Sequence, residues 1–83
     1  MPKYPPLKYR DALKALRKLN FYQSKGRGTS HQTWLRPEGD KFYAVTLAFH
    51  GSNEEIKRGT LSSIIRQSGV SKKRFYRAAG KKV

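Results

Sequence analysis

Cysteine is absent from the chain, which removes both a disulfide framework and any thiolate metal site and fits a reducing compartment. Acidic side chains are also scarce: five Asp and Glu stand against 19 Lys and Arg, leaving a formal net charge of +14. No apolar run is long enough for a membrane span or the core of a secretion signal, and the N-terminus reads Met1-Pro2-Lys3-Tyr4-Pro5-Pro6. We therefore expect a cytoplasmic protein with no membrane association. With 83 residues, the chain is expected to form a single domain over 1–83, with flexible ends at about 1–5 and 80–83. Such a small core leaves no room for an enclosed cofactor, and none is expected.

What the chain has in excess is positive charge, and it is unevenly placed. No acid follows Glu55, whereas Lys57, Arg58, Arg66, Lys72, Lys73, Arg74, Arg77, Lys81 and Lys82 do. A surface this one-sided calls for an acidic counterpart. Nucleic acid is the commonest, with an anionic membrane surface or an acidic protein as the others.

Pro5 and Pro6 lead into a helix expected from about Leu7 to Leu19, with Ala12, Leu16 and Leu19 at helical spacing and Asn20 suited to a left-handed close. Phe21-Tyr22-Gln23 begins a short strand, and Lys25 to Ser30 reads as a loop. Two further strands, His31 to Arg36 and Lys41 to Phe49, are joined by a turn, Pro37-Glu38-Gly39-Asp40. A four-residue turn sets Arg36 opposite Lys41, Trp34 opposite Tyr43 and His31 opposite Thr46. Alternation then gives Trp34, Tyr43, Val45, Leu47 and Phe49 to the core and turns His31 and Thr33 outward. Phe42 and Tyr22 are left as exposed aromatic groups on which bases could stack.

His50 to Glu55 is a polar loop. Thr60 is the expected N-cap of a second helix, whose stripe of Leu61, Ile64 and Ile65 ends at Ser68 before Gly69. Ser71 caps a last short helix that carries Phe75 and runs to about Ala79. The order is α-β-β-β-α, an α+β fold with a three-stranded antiparallel sheet, helices on one face and a short extra C-terminal helix.

The chemistry gathers at His31, which follows the glycine-bearing segment Lys25-Gly26-Arg27-Gly28-Thr29-Ser30. Imidazole is the side chain whose ordinary titration lies nearest neutrality. RNA carries its own nucleophile, the 2′-hydroxyl. Cleavage through a cyclic phosphate therefore needs a base for that proton, cations for the charge growing on phosphorus and an acid for the leaving oxygen. Residue chemistry alone favours His31 as a strand end or a phosphate contact, because an isolated histidine meets only part of the geometric test for catalysis. His50 is a second acid–base candidate, because the strand pairing brings it towards the same sheet edge. Lys25, Arg27, Lys57 and Arg58 lie in the two loops flanking that edge and are candidates for RNA phosphate contact. Glu54 and Glu55 diverge as neighbours and neither histidine has carboxylates at ligand spacing, so no metal site is expected.

Three stretches resemble one family, the HicA toxins of bacterial toxin–antitoxin systems. They are Leu19-Asn20-Phe21, where the family has a helix ending in Gly-Phe; Gly28-Thr29-Ser30-His31, where it has Gly-Ser-His; and Lys57 to Ser71, close to its Gly-Thr-Leu helix ending in Gln-x-Gly. The resemblance implies a fold like that of double-stranded-RNA-binding domains. It also implies an mRNA interferase, a metal-independent endoribonuclease with His31 catalytic, silenced by a HicB-like antitoxin protein. The alternative is a non-catalytic RNA-binding module of the double-stranded-RNA-binding type. Asn20 in place of glycine and the strongly basic tail after Ser71 are departures from the family pattern.

Overall fold

The structure, a computed structural model, describes residues 4–25 and 31–83, with Lys25 described by its backbone alone. Helix α1 (Tyr9–Lys18) buries Tyr9, Ala12, Leu13, Ala15 and Leu16 along one stripe. It starts at Tyr9 rather than Leu7 because the residues before it are engaged elsewhere. The Ile56 N–H donates to the Leu7 carbonyl at 2.8 Å, and Lys8 forms an antiparallel bridge with Glu55. The N–H groups of Tyr9 and Arg10, which lack acceptors within the helix, donate to the carbonyls of Glu54 at 3.0 Å and Ser52 at 3.1 Å. The helix closes at Asn20, left-handed at φ +71° as its residue type suggests.

The sheet is antiparallel in the order β1 (Tyr22–Lys25), β2 (His31–Glu38), β3 (Lys41–Ala48). The expected four-residue turn is corrected. Both strands continue to Glu38 and Lys41, which face each other, so only Gly39 and Asp40 connect them. Gly39 has φ +59°, the sign that a II′ hairpin turn requires at its first position. Pro37 does not interrupt β2. Alternation along the strand aims its missing N–H towards β1, which reaches only as far as Leu35.

The register therefore moves by two residues: Trp34 faces Val45, Arg36 faces Tyr43, and His31 faces Ala48 rather than Thr46. A shift of two leaves every side chain on its expected face. Trp34, Val45 and Leu47 are buried under the helices, while Ala44, Thr46, Phe42 and His31 on the other face are exposed.

Helix α2 (Arg58–Ser68) begins earlier than Thr60. Ile56 is buried and its amide is held by Leu7, so the chain turns into the helix directly after it. Lys57 takes the N-cap position in extended conformation without a side-chain cap. Gly69, left-handed at φ +76°, ends the helix. Helix α3 (Lys72–Ala78) is capped as expected: the Arg74 N–H donates to Ser71 Oγ at 3.1 Å. Ile64, Ile65, Phe75 and Tyr76 complete the core. Among the described residues no helix is long and apolar enough to cross a membrane.

Candidate nucleic-acid interface

His31 is the first residue of β2 and is exposed. Its register position shares the open face with Thr33 of its own strand and with Thr46 and Ala48 of β3. The backbone of Lys25, at the end of β1, lies opposite Thr33 and so reaches the same end of the sheet. A β-bulge between Gln23 and Lys25 re-aims the strand there. Arg27 falls outside the described residues.

His50 follows β3 two residues beyond Ala48, the partner of His31. Its ring sits edge-on against Tyr9 of α1, with centroids 5.8 Å apart at 75°. Tyr9 also holds Phe49 at 5.8 Å. The ring of His50 is therefore seated on the helix side of the sheet end, whereas the His31 position belongs to the open face. Lys57 and Arg58 are exposed at the start of α2. The loop before them packs near His50: Phe49 and His50 touch Tyr9, the Tyr9 N–H donates to the Glu54 carbonyl, and Glu55 pairs with Lys8 just before Lys57. The start of β2 and the end of β1 thus share one end of the sheet, and His50 lies just beyond the end of β3, while Lys57 and Arg58 open α2 on the helix side.

The aromatic groups divide as their strand positions dictate. Trp34 is buried, its Nε1–H donating to Gln32 Oε1 at 3.0 Å, with the Arg17 guanidinium 5.5 Å from its ring. Tyr22 and Phe42 are 52% and 61% exposed, as expected from their strand positions. They flank Leu35 and Pro37 at the end of the open face remote from His31.

Sequence reasoning missed a second group of residues on the helix side. Tyr4, Glu55, Arg58, Lys72 and Tyr76 line one cleft, although they lie as far apart as residues 4 and 76. Only the basic run after Glu55 hinted at it, and charge alone does not specify a concave surface.

No curated protein matches the chain. The model of the HicA toxin of bacterial toxin–antitoxin systems matches residues 9–70, which takes in α1, the whole sheet and α2. With that much of the chain covered, and with the α-β-β-β-α order in place, the protein belongs to the HicA toxin family.

Proposed function

We propose that the chain is the RNA-cutting toxin of its pair, an endoribonuclease acting on mRNA with His31 as its catalytic base. Family membership supplies the toxin role and implies a cognate antitoxin. In this reading the antitoxin is a HicB-like protein. The observation that carries the proposal is the exposed place of His31 at the start of β2, with the backbone of Lys25 at the same end of the sheet.

His31 takes the proton of a ribose 2′-hydroxyl. The oxygen attacks the adjacent phosphorus, the bond to the 5′-oxygen breaks, and a 2′,3′-cyclic phosphate and a free 5′-hydroxyl result. Lys25, Arg27, Lys57 and Arg58 hold the phosphate and balance the charge that grows on its oxygens in the transition state. The 5′-oxygen needs a proton as it leaves; His50 is the candidate donor, although its ring packs on Tyr9 on the helix side of the sheet, and the His50→Ala variant tests that role. No metal enters these steps. Acid–base help of this kind contributes about 10²- to 10⁴-fold.

The purified protein is incubated in EDTA with an RNA and its 2′-deoxy analogue. It is expected to cut only the RNA, and His31→Ala is expected to bind RNA while losing cleavage. His50→Ala should retain part of the rate with an altered alkaline limb of the pH profile. If neither wild type nor variant cuts while both retard RNA equally, the protein is a binding module and the nuclease proposal is wrong.

A further inference from the structure

We propose that the cleft between the Tyr4–Pro6 segment, the start of α2 and α3 is a nucleotide subsite, holding one phosphate and its attached nucleoside from the bound RNA strand. This rests on the RNA reading above and extends it to a surface away from His31. The cleft encloses about 540 Å³, within the range of small-molecule sites. Its outer walls, Tyr4 and Pro6 on one side and Lys72 and Tyr76 on the other, come from outside residues 9–70 and so from outside the family match.

The wall is fixed in place. Tyr76 is only 2% exposed, and its hydroxyl donates to the Pro5 carbonyl at 2.7 Å, drawing the N-terminal segment across α3. The Tyr4 ring stands edge-on to Tyr76 at 4.9 Å, and the Lys72 ammonium lies 4.6 Å from the Tyr4 ring. Buried Ile56, Leu61 and Ile65 make the floor apolar.

The polar groups suit a nucleotide better than a bare anion. Arg58 and Lys72 bring two cations, and neither is in an ion pair among the described residues. Both side chains line the cleft beside the Tyr76 ring. Glu55 adds a carboxylate, also in no ion pair among the described residues, that can accept from a ribose hydroxyl or a base amine. The half-buried Tyr4 ring offers an aromatic wall for the base. Arg58 lines this cleft and is also one of the residues proposed above for phosphate contact, so a strand held by Arg58 could serve both.

The test has two parts, both on the full chain. Amide shifts are followed by NMR as adenosine 5′-monophosphate, ribose 5-phosphate or inorganic phosphate is added. Saturable shifts at Tyr4, Glu55, Arg58 and Lys72, larger for the mononucleotide than for either phosphate compound, are expected. Cleavage kinetics then compare Lys72→Gln and Tyr4→Ala with Lys41→Gln on the distant hairpin, after thermal melts show that each variant folds. Lys72→Gln and Tyr4→Ala should raise KM for RNA roughly fivefold with kcat unchanged, and Lys41→Gln should change it less than twofold.

Equal shifts with inorganic phosphate would reduce the cleft to an anion site and overturn the proposal, as would equal effects of Lys72→Gln and Lys41→Gln. Cutting that depends on His31 without nucleotide shifts in the cleft sinks this inference and leaves the nuclease standing. Cleft binding in a protein that cuts no RNA does the reverse, with the affinity of the same variants for RNA replacing KM as the readout.

Discussion

Tyr76 combines a buried ring with a hydroxyl that has one specific acceptor, the Pro5 carbonyl. Burial is the main cause that raises its phenol above the ordinary value of 10.0; Arg58 opposes the shift and Tyr4 adds to it. A folded-state value above the unfolded one means that the native state holds this proton more tightly. The contribution is fully present below about pH 10, the unfolded value, and is lost as pH rises through the folded one. Urea denaturation at stepped alkaline pH should show this loss, and Tyr76→Phe should flatten that part of the profile. At neutral pH the same substitution removes the bond to Pro5 and is expected to cost about 1 kcal/mol. Gly69 is constrained differently. At φ +76° a side chain is strained, and a Cβ there would run into the Tyr43 ring. Gly69→Ala should destabilise by about 1–2 kcal/mol or more, read from the denaturation midpoint.

Among the elements, β3 is an edge strand whose outward amides need cover. Gln67 supplies part of it: its Oε1 accepts the Thr46 N–H at 3.0 Å while its Nε2 donates to Ser63 Oγ at 3.0 Å. Gln67→Ala is expected to lower stability by about 1 kcal/mol in equilibrium unfolding without moving the helix content seen by circular dichroism. The hairpin shows what was legible in the sequence and what was not. Alternation along Lys41 to Phe49 assigned the buried face correctly, because faces depend only on parity. The pairing was two residues out, because the turn residues Pro37 and Glu38 also suit strand ends, and which of them belongs to the ladder depends on where β1 stops. The starts of α1 and α2 were misplaced for a related reason. Both are set by the pairing of residues 7–10 with 52–56, a long-range contact that no local capping residue records. Gly69, Ser71 and Asn20 were read correctly because each acts through its own backbone or its nearest neighbours.

For the whole molecule, a net charge of +14 on 83 residues makes any RNA complex strongly dependent on salt, since each neutralised phosphate releases a counterion. RNA affinity of His31→Ala, which leaves the substrate intact, should fall by more than about tenfold between about 50 and 200 mM salt in a filter-binding assay. A flat profile would mean that the charge serves solubility alone. The strand ends that carry Lys25 and His31 were legible in the sequence, because the segment between them has strong local turn signals. The cleft was invisible at that level because its walls meet only after folding, and no periodicity links Tyr4 to Lys72.

The bond from Tyr76 to Pro5 spans 71 positions of the chain. On the ribosome Pro5 is therefore made long before the phenol that anchors it, and a nascent chain shorter than that span has no wall for the cleft. That wall closes only once the intervening chain, the sheet and α2 included, has been synthesised.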